Sequence, residues 1–107
     1  MKIKPGVIMA GLQLEMRFAL SFANSVYSKY GQELTITSAL DGVHSASSYH
    51  YYGYALDLRT RFFDSEILDK VFSELSDYLS DYGFTVILET DHIHIHYAKR
   101  SNIYSRT

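Results

Sequence analysis

The chain has 107 residues, enough for one domain with a modest core and too few for two. With 47% hydrophobic and 21% charged residues it has the composition of a folded globule, and a net charge of -2 gives no basic field of the sort nucleic-acid binding needs. Cysteine is absent, so there is no disulfide framework and no thiolate metal site, and any bound metal must use nitrogen and oxygen ligands.

Residues 1–10 read as an irregular lead-in with a turn at Pro5-Gly6. The apolar run from Val7 to Leu12 is short for a signal peptide and far too short to span a bilayer. From Gly11 to Tyr30, the residues Leu12, Met16, Ala19, Ala23, Val26 and Tyr30 recur at three- and four-residue spacing, which predicts an amphipathic helix. Gly31 suits the left-handed position just past its end. Leu34 and Ile36 alternate with Glu33, Thr35 and Thr37 as a short strand.

Residues 38–49 are small and polar and predict a loop, with Asp41-Gly42 as its tight turn. A strand over Tyr54 to Arg59 turns Leu56 and Leu58 to one face and Ala55, Asp57 and Arg59 to the other. Asp64 or Ser65 caps a second helix, whose apolar stripe runs from Ile67 to Leu79 and which Gly83 closes. A strand from Phe84 to Leu88 or Glu89, a tight connection at Thr90-Asp91, and a strand from His92 to Tyr97 complete the pattern. Lys99, Arg100 and Arg106 form a solvated tail. This order predicts an α+β domain with a small, mostly antiparallel sheet packed with two main helices.

The five histidines are His44, His50, His92, His94 and His96, and all lie in or near two stretches, residues 48–57 and 89–96. Alternation puts His92, His94 and His96 on one strand face, where same-face residues stand about 7 Å apart and their imidazoles can converge on one ion. So many imidazoles on one face are poor core material, because each ring needs a polar partner. With His50 and Asp57 seven residues apart in the first stretch, the residue types match a catalytic zinc that keeps three protein ligands and one open position. Ten tyrosines and no tryptophan further suggest phenols along a cleft, among them Tyr49, Tyr51, Tyr52 and Tyr54, or half-buried core edges.

Ser48-x-His50-x-x-Gly53-x-Ala55-x-Asp57, followed by Asp91-His92-x-His94, resembles the paired motifs of the zinc D-alanyl-D-alanine carboxypeptidase family, whose fold is shared with the hedgehog signalling domain. Thr37-Ser38 and Asp41-Gly42-Val43-His44-Ser45 make the short phage-type members the nearest likeness. The resemblance runs from about Leu34 to Tyr97, and it implies a hedgehog/DD-peptidase-like fold, with residues 1–107 forming a single zinc peptidase domain. It implies Zn2+ held by His50, Asp57 and His94, with Asp91 as general base and His92 as stabiliser of the developing oxyanion. Ser48 matches a motif serine that supports the ligand loop or meets substrate. The implied activity is hydrolysis of peptide bonds in bacterial peptidoglycan, by a D-Ala-D-Ala carboxypeptidase or related endopeptidase, with the stem peptide as substrate. A non-catalytic zinc-containing module that binds cell-wall peptide or protein is the alternative.

The sequence departs from the family at two places. Many relatives carry an arginine upstream of the first motif to grip a substrate carboxylate; none occurs here between Arg17 and Arg59, leaving Arg59 or Arg61 as substitutes. His96 stands where relatives often have an acidic residue. It keeps the histidine register open, since Glu89-x-x-His92 has the same spacing as Asp91-x-x-His94, so His92 or His96 could replace His94 and Glu89 could replace Asp91. The expected protein is a monomer without a signal peptide, made in the cytoplasm of a bacterial host and acting on the cell wall if exported or released.

Overall fold

Helix α1 (Leu14–Lys29) buries Met16, Ala19, Ala23, Val26 and Tyr27, the stripe set by their three- and four-residue spacing. The computed structural model describes residues 1–39 and 54–97. The helix starts three residues later than its apolar spacing suggests, because Gly11 has a positive φ of 89° and Gln13 makes no side-chain cap. At the other end Gly31, at φ 79°, turns the chain out. Gln32 N–H donates to the Tyr27 carbonyl and Gly31 N–H to that of Ser28, each at 3.0 Å, which satisfies the last carbonyls of the helix.

Helix α2 (Ser65–Ser80) starts where Asp64 Oδ1 accepts the Ile67 N–H at 2.8 Å. It buries Val71, Leu75 and Leu79. Asp81 and Tyr82 follow, and Gly83 at φ 91° redirects the chain into the next strand.

Among the described residues five strands form one mixed sheet: β1 (Lys2–Ile3), β2 (Thr35–Ser38), β3 (Ala55–Arg59), β4 (Phe84–Leu88) and β5 (His92–Tyr97), in the order β1-β2-β3-β5-β4. All pairings are antiparallel except β1 with β2. The parallel edge strand β1 corrects the expectation of a structureless lead-in. Lys2 N–H donates to the Leu34 carbonyl at 2.7 Å and Lys4 N–H to that of Ile36 at 2.9 Å.

Both helices pack on one face of the sheet. Leu56 and Leu58 of β3 and Ile93 and Ile95 of β5 are fully buried there, with Ile36, Met16, Tyr27, Leu75 and Leu79 in the same core. Each such aliphatic side chain contributes about 1.5–3 kcal/mol on burial. By alternation the opposite face carries Asp57 and Arg59 on β3, and His92, His94 and His96 on β5. No helix among the described residues is long and apolar enough to cross a membrane.

Candidate metal centre

Cross-strand register sets the site. Asp57 lies opposite His94, Arg59 opposite His92, and Ala55 opposite His96. On the other flank the β2–β3 pairing slips by one residue between Ile36 and Ser38, so that Ser38 rather than its neighbour faces Asp57. Such a bulge re-aims the local side chains. Thr37 Oγ1 donates to the Asp57 carbonyl at 3.3 Å, which ties the strand down at this residue.

Asp57 is half-buried and meets two histidines. Its Oδ1 lies 3.0 Å from His94 Nδ1 and 3.6 Å from His92 Nε2. A carboxylate only accepts, so His94 donates from Nδ1. A neutral His94 then has an acceptor at Nε2, and His96 Nδ1–H fills it at 2.8 Å. His92 bridges two carboxylates: its Nδ1–H donates to Asp91 Oδ1 at 2.7 Å while its other nitrogen faces Asp57. The hydrogen bond from His92, with the charge of that ring second, holds the Asp91 carboxyl below the usual carboxylate range.

These donors suit zinc. Two ligands about 2.0–2.1 Å from a tetrahedral ion stand about 3.3–3.4 Å apart. Separations of 3.0 Å and 3.6 Å from Asp57 Oδ1 to the two ring nitrogens bracket that value. Among the described residues no three His, Asp or Glu side chains gather as a complete metal-holding group. Asp57 and one histidine would supply two corners of such a site. His50, expected as a ligand, lies outside the described residues, as do His44, Ser48, the loop turn at Asp41-Gly42, Tyr49, Tyr51, Tyr52 and the tail with Lys99, Arg100 and Arg106.

A cleft of about 380 Å3 opens beside the pair, lined by Lys4, Thr37, Ser38, Asp57, Arg59, Arg61, Asp91 and His92. The two acids nominated from sequence separate here. Asp91 lines the cleft, whereas Glu89 takes no part in the lining and gives its backbone N–H to the His92 carbonyl at 2.9 Å. Arg59 does reach the cleft, and Arg61 joins it. Lys4 is the residue that sequence reading passed over. Its only local signal was the alternation Lys2-Ile3-Lys4, a pattern that blunts edge strands. No family model matches the chain, and no curated protein matches it.

Proposed function

We propose that this chain is a zinc-dependent peptidase of hedgehog/DD-peptidase-like fold that hydrolyses peptide bonds of bacterial peptidoglycan. The observation that carries the reading is the juxtaposition on the helix-free face: Asp57 across from His94, with the Asp91–His92 pair beside them in the cleft. Asp57 and His94, joined by His50, would hold the ion. Bound there, zinc polarises a scissile carbonyl and acidifies a water molecule at neutral pH.

The rest of the chemistry falls to side chains of the cleft. Asp91, kept ionised by its bond from His92, accepts a proton from the attacking water and returns it to the leaving amine. Its exposure leaves it free to swing between those two positions. His92, set between Asp91 and Asp57, would stabilise the oxygen that gains charge in its protonated form, in which Nδ1–H stays on Asp91 and Nε2 carries a second donor. Ser38 and Thr37 form the opposite wall, and Thr37 keeps Asp57 in register.

Zinc-loaded protein, purified without a histidine tag and incubated with peptidoglycan, should release products that mass spectrometry identifies. Asp91→Asn should keep zinc and lose about 100-fold or more of the rate, the usual worth of a positioned base. His50→Ala should lose the metal. A fully active Asp91→Asn would remove Asp91 from the mechanism, and a loaded protein that binds peptide without cutting it would make the chain a binding module.

A further inference from the structure

Aromatic side chains usually bury their rings in the core. Near the start of α1 four of them leave a recess instead. Phe18 of α1, Tyr82 just past α2, Phe84 at the start of β4 and Tyr97 at the end of β5 line a concavity of about 240 Å3, and the only other described residue in the lining is Glu15. The ring centroids run in a chain: Tyr82 to Phe18 at 5.4 Å, Phe18 to Phe84 at 6.1 Å and Phe84 to Tyr97 at 5.0 Å. Phe18 and Tyr82 are 42% and 51% exposed, so both offer aromatic surface to whatever enters.

Chain positions build the recess. Glu15 and Phe18 stand three residues apart on α1 and so share one helix face. Gly83, at φ 91°, turns the chain between Tyr82 and Phe84. Phe84 lies opposite Tyr97 in the β4–β5 register, on the same sheet face as Ile93 and Ile95. The recess is therefore on the helix side of the sheet, and it shares no described residue with the cleft beside Asp57.

The charge at this recess is negative. No ion pair to Glu15 occurs among the described residues. Its field reaches the far wall, where the Tyr97 phenol is held above its ordinary range by burial first and by Glu15 second. An anion is thereby disfavoured. A hard cation such as Ca2+ takes about six to eight oxygens, and one carboxylate falls short. A ring quadrupole attracts a cation lying over it, most strongly one that has shed its water. Four aromatic rings and one carboxylate thus suit a bulky, weakly hydrated organic cation. The size agrees, since 240 Å3 lies below the range of drug-sized pockets and fits a single headgroup.

We infer that Glu15, Phe18, Tyr82, Phe84 and Tyr97 form a binding site for a quaternary ammonium group of the choline type, on the opposite side of the sheet from Asp57 and His94. The site stands whether or not the cleft holds zinc.

The test titrates the full chain with choline chloride, with dimethylbutanol, the uncharged isostere in which carbon replaces nitrogen, and with ethanolamine, the primary ammonium, following the ring resonances by NMR. Choline should shift the Phe18, Tyr82 and Tyr97 rings and bind about threefold or more tightly than dimethylbutanol. Ethanolamine, whose ammonium is strongly hydrated, should also bind more weakly than choline. Glu15→Gln should weaken choline about threefold and leave the alcohol unchanged. Tyr82→Leu keeps an apolar wall and should weaken choline by about the same factor. Glu66→Gln, at the other end of α2, should change neither probe. Glu15 and Tyr82 are exposed, so both substitutions spare the core. Equal binding of the charged and neutral probes, tighter binding of ethanolamine, no shift in these rings, or full choline affinity in both variants would overturn the site. Lys99 and Arg100 follow Tyr97 by two and three residues. Choline binding that appears only in Lys99→Gln combined with Arg100→Gln would assign the recess to a cation of this chain, and would overturn a free ligand.

Discussion

Tyr27→Phe isolates one hydrogen bond that couples the core to the site. The Tyr27 ring is fully buried and meets Phe63 and Phe62 edge-on, with centroids 5.0 Å and 6.1 Å away. Its hydroxyl donates to the Arg59 carbonyl at 2.8 Å, which anchors the end of β3 from beneath. Phenylalanine keeps the packing and removes only that donor. The loss of the bond and the partial orphaning of the carbonyl together should cost about 1–2 kcal/mol. For a domain of this size, each kcal/mol lowers Tm by about 4–8 °C, so thermal unfolding followed by far-UV circular dichroism should show a drop on the order of 5–10 °C. A second, independent readout comes from pH. Burial pushes the Tyr27 phenol well above its ordinary range. The neutral form is thus favoured in the fold, and its contribution is complete below pH 10 and declines as pH rises further. One unit above the unfolded value, the wild type should have lost about 1.4 kcal/mol that the variant never had, so the gap between them closes near pH 11. A variant within a degree of wild type at pH 7, or a gap that widens at pH 11, would refute the reasoning.

Two other outcomes follow from the same geometry. Glu74 receives the Tyr30 hydroxyl and the Lys29 ammonium, the latter at 2.9 Å, and these bonds hold its carboxyl below the usual range while raising both partners. A depressed carboxylate stabilises above its unfolded pKa and loses that contribution as pH falls through its folded one. The raised partners stabilise below theirs and lose it as pH rises. Glu74→Gln should therefore lower Tm between about pH 5 and 9 and have little effect at pH 3, as checked by melting curves across that range. For the metal, zinc at 100 times its dissociation constant should add about 2.7 kcal/mol to wild-type stability, reversed by a chelator, lost below about pH 6 as ligand imidazoles protonate, and absent in Asp57→Asn. An unchanged Tm on zinc addition to wild type would count against a metal centre at these strands.

What could be read from sequence was whatever has a local period. Met16, Ala19, Ala23 and Val26 mark one helix by spacing alone, and Asp64 marks the start of the next through its own side chain. Ile93 and Ile95 against His92, His94 and His96 declare both faces of β5. Local period fails where a partner is distant. The two-residue strand β1 exists only through β2, more than 30 residues away, so Lys4 was invisible as a cleft residue. The insertion of β5 between β3 and β4 and the slip at Ile36–Ser38 are likewise properties of pairing. The histidines show why this matters for chemistry. A two-residue repeat makes His92, His94 and His96 equivalent on paper, yet each meets a different neighbour in the sheet. His94 faces Asp57, His92 joins Asp91, and His96 donates to His94. The register between β3 and β5 decides that His94, and not its same-face neighbours, lies opposite Asp57, while His92 reaches Asp91 at the start of the strand.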